Sequence, residues 1–373
     1  MIEIEAIDWQ VRSQVQRFIE LPYRLYAENP FWVPPLRGDG RVALDRYRHP
    51  FYEHSDAAFF VAMRGKHSVG RLGILEHRPH NATHGTRHAS FTLFECEEDG
   101  SIAGALFDAA ATWARGRGLD AIVGPRGLAP LDGYGLLVEG FDRPQLMTMT
   151  NYNPPFYPAA MDRLGFRKEI DFVSYELDRE TFVMPDVVRR AAARTMATLR
   201  IVRYSSRRAL ARAARRIGDT YNGAFAGNWE YYPLTTREID FVVKQVRPLA
   251  DPRLMTFIAA GERIVGFVLA FPDVSATLRS MRGRLTAFGV LRLLRDRSRA
   301  TRVALNGAGI LPQYQGRGGN ALLYTQIERA VRDSQFETAE LPQVAETATR
   351  MAADLQRLGA RPIKRHRVLM LEL

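Results

Sequence analysis

The sequence contains a single cysteine, Cys96, among 373 residues. One cysteine excludes an internal disulfide and any zinc site built from cysteine ligands. No stretch reaches the roughly 18 consecutive apolar residues that a membrane-spanning helix requires. The N-terminal residues MIEIEAIDWQ are acidic and lack the basic-then-apolar pattern of a signal peptide. We therefore expect a cytoplasmic protein that contacts the membrane only peripherally, at its inner face.

Lysine is also scarce, because only Lys66, Lys168, Lys244 and Lys364 are lysines. Arginine therefore supplies nearly all of the cations behind the net charge of +11. Part of an arginine excess reflects codon bias, and the rest favours an anionic partner: coenzyme A, nucleic acid or anionic lipid head groups. The apolar and charged fractions, 46% and 25%, are ordinary for a globular protein, and the length predicts two or three domains.

The most informative stretch is residues 302–331. An apolar run ends at Pro312, a glycine-rich turn follows, and an apolar-periodic helix starts near Asn320. Glycines let a phosphate approach the backbone, the helix N-terminus adds partial positive charge, and an arginine in the turn adds a full charge. The sequence therefore predicts a pyrophosphate cradle. Its turn residues are Gln315, Gly316, Arg317, Gly318 and Gly319.

The spacing in this turn decides which pyrophosphate fits. A Walker loop needs Lys followed by Ser or Thr, and a dinucleotide fingerprint needs wider glycines with a downstream acid; neither is present. The turn instead resembles the acyl-CoA loop of the GNAT superfamily, Gln/Arg-x-x-Gly-x-Gly/Ala. Gln315 and Gly318 match the first and fourth positions, and Asn320 departs from the sixth. An ordinary glycine-rich turn before a helix is the alternative interpretation.

Two α/β halves follow one plan, which favours a duplication. The predicted elements of the first half are strands 58–63, 69–76, 90–95, 121–124 and 173–177 with a helix at 101–117. Those of the second half are strands 200–204, 254–260, 264–271, 338–344 and 367–373 with helices 209–226 and 347–358. A basic helical connector is expected at 182–200. We place the N-terminal domain at 1–181 and the C-terminal domain at 182–373.

The two halves differ at the junction between strand and helix, where the second half has its glycine turn. The first half has Glu95-Cys96-Glu97-Glu98-Asp99-Gly100 there. Four carboxylates would repel a pyrophosphate, whereas an acid suits the N-cap of the next helix. We expect the N-terminal half not to bind coenzyme A but to shape the substrate cleft, and the C-terminal half to be catalytic.

Several longer pieces make the resemblance more specific. They are LPYRLYAENPFWVPPL, HPFYEHSDAAFF, FECEEDG, GLLVEGFDRP, NYNPPFYPAAMDRLGF and the glycine loop. Together they resemble a family of bacterial tandem-GNAT proteins that includes the bacterial ceramide synthases. The resemblance implies an α/β (α+β) fold of two tandem GNAT-like domains, each with a mixed central sheet flanked by helices. It also implies an N-acyltransferase that uses acyl-CoA as co-substrate, without a metal, to acylate a long-chain amine such as a sphingoid base.

Residues 275–297 form an amphipathic insert. The polar positions are almost purely arginine, and the apolar residues recur at helical spacing: Leu278, Met281, Leu285, Phe288, Leu291 and Leu294. A surface helix packed on its own core is the plain interpretation. A cationic polar face is also the composition of interfacial helices, so we expect contact with a membrane surface or a lipid substrate.

Acyl transfer to an amine needs a polarised carbonyl, a base and a departing thiolate. The resemblance assigns the first task to backbone N–H groups around Ile310 and Leu311. Leu355 and Ala348 occupy the positions where many members have Tyr and Asn, so two expected polar groups are missing. The remaining candidates for catalytic work are Asp273, Glu340, Glu230, Tyr231, Tyr232 and Asn306.

Two further clusters have weaker functional interpretations. His77, His80, His84 and His88 have tempting spacing for a metal, but Pro79, Asn81 and Gly85 are expected to break any helix that would align them. The basic cluster near the C-terminus would suit coenzyme phosphates or a lipid head group, and a solvated edge is the alternative. Its members are Arg361, Lys364, Arg365, His366 and Arg367.

Two competing functions remain open. A transferase using aminoacyl-tRNA would explain the arginine excess, and its binding would fall steeply with salt. The intact glycine loop argues against it, so a nucleic-acid partner is not expected. A non-catalytic acyl-CoA-binding protein would explain Leu355, Ala348 and Asn320 as signs of decay.

Overall fold

The computed structural model describes residues 1–129, 132–229 and 231–373. The chain divides into two compact units. The N-terminal unit comprises Met1–Val173, Ser275–Leu293 and Ile363–Leu373, and the C-terminal unit comprises Ser174–Val274 and Leu294–Pro362. The first division lies near the predicted boundary after residue 181. Most of the insert and the last strand, both predicted within the C-terminal domain, group instead with the N-terminal unit.

The strands alternate with helices along most of the chain. The strands are β1 (Glu3–Ala6), β2 (Asp56–Arg64), β3 (His67–Glu76), β4 (His88–Cys96), β5 (Ala121–Gly124), β6 (Leu136–Glu139), β7 (Arg167–Asp178), β8 (Arg200–Val202), β9 (Met255–Ala260), β10 (Arg263–Pro272), β11 (Arg302–Ile310), β12 (Thr338–Ala345) and β13 (Arg361–Glu372). The helices are α1 (Arg12–Leu25), α2 (Arg37–Leu44), α3 (Arg78–His84), α4 (Gly100–Arg115), α5 (Tyr157–Arg163), α6 (Asp186–Thr195), α7 (Arg207–Arg212), α8 (Ala214–Phe225), α9 (Thr236–Val246), α10 (Ser275–Met281), α11 (Ala287–Arg299), α12 (Gly319–Arg332) and α13 (Thr349–Arg357).

The N-terminal unit contains a mixed sheet with strand order β1-β2-β3-β4-β5-β13. β4 and β5 are parallel, and the other neighbouring pairs are antiparallel. Helix α4 packs on this sheet because its apolar residues recur every three or four positions, and Ile102, Leu106 and Phe107 meet Phe91 in the core.

The C-terminal strand corrects one expectation. Strand 367–373 was expected to complete the second half, but β13 begins at Arg361 and pairs antiparallel with β5, Leu369 opposite Gly124. Alternating apolar residues predict that a segment is a strand without identifying its partner, which is chosen by contacts distant in sequence.

The C-terminal unit contains a mixed sheet with order β12-β11-β10-β9-β8. β9 and β10 form the predicted hairpin, turning at Gly261 with φ +55°, and β11 and β12 are parallel. The helix predicted at 209–226 is two helices, α7 and α8, which meet at Ala213. Phe257, Phe267 and Phe271 are fully buried in this sheet.

Within the described ranges, no helix is both long and apolar enough to cross a bilayer.

Candidate functional site

A bulge interrupts β11 in the C-terminal unit. Val268 of β10 lies opposite Ala308, but Ala270 lies opposite Leu305, so β11 carries one extra residue between these pairs. Gly307 adopts φ +114° within this stretch, a conformation that favours glycine. The half-buried Asn306, a predicted site residue, therefore sits in the bulge.

β11 pairs with β12 only over its first three residues. The parallel register covers Arg302–Ala304 against Thr338–Glu340 only. Residues 305–310 continue β11 along β10 without a described β12 partner. Their backbone polar groups on that side are therefore placed to hydrogen-bond an extended ligand, and we call this side of residues 305–310 the slot.

The glycine loop closes the end of the slot. Its backbone alternates, with Gln315 at φ −67°, Gly316 at +71° and Gly318 at +83°. Such alternation turns successive N–H groups toward one point and forms an anion-binding nest. Among the described residues, none accepts a hydrogen bond from the N–H groups of 316–321. With the N-terminus of α12 directly behind it, the loop fits a diphosphate.

Each predicted loop residue has a distinct position. The Gln315 side chain donates to the Ile310 carbonyl at 3.1 Å and so ties the loop to β11. Arg317 is exposed, with its guanidinium 5.6 Å from the Tyr314 ring centre. A Cβ on Gly319 would lie 2.8 Å from Ile310 Cδ1, so a larger residue there would have to displace the end of the Ile310 side chain. Asn320 is exposed in the first turn of α12, so its departure from Gly or Ala creates no crowding.

Thr195, at the end of α6, supports the loop and was missed in the sequence. Its hydroxyl donates to the Ala191 carbonyl at 2.9 Å and to the Arg317 carbonyl at 3.2 Å. A Cβ on Gly318 would lie 2.2 Å from Thr195 Oγ1. Glycine is therefore required at position 318 both by the left-handed backbone conformation and by the nearby Thr195 hydroxyl. The basic connector was predicted, but no local pattern indicated that it packs against the loop.

The role predicted for Leu311 needs correction. Its N–H donates to the Val265 carbonyl at 2.9 Å, so it is occupied in the pairing with β10 and is not available to a thioester. In an antiparallel ladder the neighbouring residue points its N–H the opposite way, which directs that of Ile310 toward the slot. Ile310 thus stays a candidate for binding the coenzyme.

Two of the predicted acids come together at the far end of β11. The Arg302 guanidinium lies 3.5 Å from Asp273 and 3.4 Å from Glu340. Glu176, which sequence reasoning missed, also lies 3.4 Å from it. The strand register places Glu340 opposite Ala304, two residues before Asn306 in β11.

The other three candidates come from residues 227–234 of the sequence. Tyr232 is buried, and its hydroxyl donates to Glu238 at 3.1 Å. Glu238 forms a capping box with Thr235 at the start of α9, so Tyr232 has a structural role there. Glu230 lies outside the described residues. The hydroxyl of Tyr231 donates to Asn222.

An aromatic wall stands beside the bulged strand. Tyr221 and Phe225 of α8 contact Phe267 of β10, with ring centres 5.7 and 5.8 Å apart. A Cβ on Gly309 would lie 2.9 Å from Ala224, which shows how closely α8 approaches β11. Sequence reasoning missed this wall, although the i, i+4 spacing of Tyr221 and Phe225 was a signal.

Three comparisons place this geometry among known proteins. No protein-family model matches the chain. The bacterial ceramide synthase of Caulobacter vibrioides is 29% identical over 293 residues, covering 78% of this chain and 76% of that protein. Protein YghO of Escherichia coli is 27% identical over 368 residues, covering 96% and 92%. A solved tandem GNAT protein from the clavulanic acid biosynthesis pathway matches with a TM-score of 0.58 at 13% identity, covering 100% and 98%.

These likenesses support a tandem-GNAT, ceramide synthase-like family for this chain. The predicted fold of two tandem GNAT-like domains is confirmed. The fold and the ceramide synthase relative support an N-acyltransferase.

The N-terminal unit of this tandem-GNAT fold has a bulge of the same kind, and the N–H group at the end of its bulged strand is occupied. Arg71 lies opposite Glu95 while Gly73 lies opposite Thr92, which again leaves one extra residue on the inner strand, here β4. The N–H of Cys96 donates to the Tyr157 hydroxyl at 2.7 Å. The backbone N–H at the end of β4 is thus occupied by a side chain of its own unit.

The acids of this unit are also occupied. Asp99 caps α4 by accepting from the Ser101 N–H at 2.9 Å. Glu95 is buried, where it accepts from the hydroxyls of Tyr26 at 2.5 Å and Tyr157 at 3.0 Å. Burial raises the pKa of the Glu95 carboxyl to about 7, against the opposing effects of Arg71 and the two phenols.

The basic C-terminal cluster is occupied within the N-terminal unit, apart from Arg361, which lies 3.5 Å from Glu176. Lys364 is buried and donates to the Pro144 carbonyl at 3.0 Å, and His366 is fully buried. Arg367 pairs with Asp171 at 2.8 Å, and Arg365 pairs with Glu139 at 3.1 Å. The predicted contact with phosphates or head groups is therefore wrong for Lys364 and His366.

The histidine stretch contains a helix that the sequence analysis excluded. α3 spans Arg78–His84: Pro79 lies in its first turn, where no N–H is needed, and Gly85 ends it at φ +66°. His80 and His84 have ring centres 4.6 Å apart. In the part of the chain that the structure describes, no group of His, Cys, Asp or Glu is arranged to hold a metal ion.

Proposed function

We propose that this protein is an acyl-CoA-dependent N-acyltransferase whose acceptor is a long-chain amine, such as a sphingoid base. The observation that carries the proposal is the glycine loop, with its unpaired N–H groups at 316–321, at the end of the open side of β11. The loop would hold the diphosphate, and the slot would hold the pantetheine as an added strand. The thioester would then reach the bulge at Asn306 and Gly307.

The reaction exchanges one bond for another. The neutral amine attacks the thioester carbonyl, a C–N bond forms, the C–S bond breaks, the amine releases a proton and the thiolate accepts one. Ile310 N–H and Asn306 are the groups placed to orient the chain and carbonyl. Asp273 and Glu340 stay candidates for binding the acceptor's ammonium group, beyond the bulge.

A lipid acceptor also gives a role to residues 275–297. Their expected contact with a membrane surface, and a cytoplasmic location at its inner face, belong to the same proposal. The relative named as a bacterial ceramide synthase supports this acceptor class.

The test measures free thiol released from long-chain acyl-CoA by the purified protein. Release should require a long-chain amine, fail with the matching long-chain alcohol, and yield an amide detectable by mass spectrometry. Thiol release unaffected by the amine would indicate hydrolysis and contradict the proposal. Transfer from aminoacyl-tRNA instead, lost at high salt, would favour the competing aminoacyltransferase.

A further inference from the structure

Helix α11 exposes to solvent the apolar residues that an amphipathic surface helix normally buries. Phe288, Leu291 and Leu294 recur every third residue along one side and are 85%, 65% and 43% exposed. Leu285, just before the helix, is 61% exposed. Gly289 is buried and Asp296 half-buried. A helix packed on its own core would bury its leucines and expose its acid, so the plain interpretation does not hold for α11, although Met281 of α10 is buried.

The apolar side of α11 is not exposed because the segment has come away from the fold: the turn before the helix packs against the N-terminal unit. The Gly283 carbonyl accepts from the Arg37 N–H at 3.0 Å, within the N-terminal unit. Arg37 in turn pairs with Glu20 at 2.7 Å and stacks on the Tyr23 ring at 3.7 Å. A Cβ on Gly283, at φ +72°, would lie 2.3 Å from Tyr23. The turn before α11 is thus packed while the helix presents its leucines to solvent.

The charge around this side selects one kind of partner. Asp296, the only acid from 275 to 299, lies 2.8 Å from Arg295. The exposed arginines of the segment are Arg282, Arg284, Arg292, Arg295 and Arg299. A second copy of the chain would bring equal sets of arginines together, which disfavours a dimer on this side. Anionic lipid head groups complement the arginines, and the acyl boundary accepts the leucines.

We infer that α11 docks on an anionic phospholipid bilayer, with Leu285, Phe288, Leu291 and Leu294 inserted at the boundary between head groups and acyl chains. The inference deepens the proposed function and rests on it for its purpose: a long-chain amine dissolved in the bilayer would be collected there. Docking itself does not need turnover and is measured separately.

The experiment is co-sedimentation of the full chain with vesicles of phosphatidylcholine alone or mixed with phosphatidylglycerol. We expect binding to the mixed vesicles, weakening as salt is raised, and little binding to phosphatidylcholine alone. Phe288→Ser combined with Leu291→Ser should lower the partition coefficient at least about tenfold. Val183→Ser combined with Val187→Ser is the matched control, since both valines are exposed elsewhere, and it should bind as the wild type does.

Three results would overturn the inference: no binding of the wild type to anionic vesicles, equal binding by the Phe288/Leu291 variant, or a dimer in solution that this variant abolishes. Vesicle binding without amide synthesis would leave docking intact and count against the proposed function. Amide synthesis from detergent-dispersed amine without vesicle binding would do the reverse.

Discussion

At Gly318 the backbone and its nearest neighbour impose the same requirement. The residue has φ +83°, and any Cβ would meet the Thr195 hydroxyl. Gly318→Ala should therefore displace the loop and weaken coenzyme A binding roughly 10- to 100-fold by calorimetry. Adding Thr195→Ala should recover part of the loss by removing the clash.

The matched control for Gly318 is Gly261, which also has a positive φ but has open space around it. Gly261→Ala should cost stability through backbone strain without changing coenzyme A affinity. Equal affinities for Gly318→Ala and the wild type would show that the loop does not hold the ligand.

The free energy of unfolding should depend on pH through Glu95, and Glu95→Gln should remove that dependence. Its pKa is raised from 4.5 to about 7 in the folded protein, because burial disfavours the charged form. A raised folded pKa contributes stability that is complete below pH 4.5 and is lost as the pH rises through 7. The unfolding free energy of the wild type relative to the variant should fall by about 3 kcal/mol over that window.

Urea denaturation at several pH values measures this difference for Glu95. The control is Glu97→Gln, because Glu97 is only half-buried and pairs with Arg24. Parallel profiles for the wild type and Glu95→Gln would mean that the carboxyl is ionised throughout and that Arg71 outweighs the burial.

At the scale of elements, Tyr232 has either a structural role at the start of α9 or a catalytic role, and the stability of the protein distinguishes the two. If Tyr232 supports the capping box, Tyr232→Phe should lose about 1 kcal/mol of unfolding free energy, since Glu238 loses one donor. The rate of acyl transfer at saturating substrates should be unchanged. A rate lowered by orders of magnitude with unchanged stability would instead return Tyr232 to the catalytic candidates.

Local patterns predicted elements whose signals are local. The hairpin of β9 and β10 has its turn at Gly261, and α12 starts one residue before the predicted Asn320. In α3, a proline that is harmless in the first turn was taken as a helix breaker. The split between α7 and α8 at Ala213 also went unpredicted, because alanine is a good helix former.

The site was predictable only where one segment supplies it. The glycine loop lies within six consecutive residues and was found, whereas Thr195 reaches it from a helix more than a hundred residues away. Leu311 could not be excluded from sequence, because the bond from its N–H to Val265 depends on strand register. The pairing of β13 with β5 depends on contacts still more distant.

For the whole molecule, each of the two units contains a bulged strand followed by a helix, but the groups at the end of that strand differ between the units. In the N-terminal unit the strand's N–H at Cys96 is taken by Tyr157, and Asp99 occupies the start of the next helix. In the C-terminal unit the loop N–H groups at 316–321 stay open. A full chain should therefore bind one coenzyme A, not two.

The most direct test of this account is a calorimetric titration of the purified full chain with coenzyme A, repeated with Gly318→Ala. The account predicts one site per chain, weakened at least about tenfold in the variant. Two sites per chain, no heat of binding, or equal affinity in the variant would contradict it.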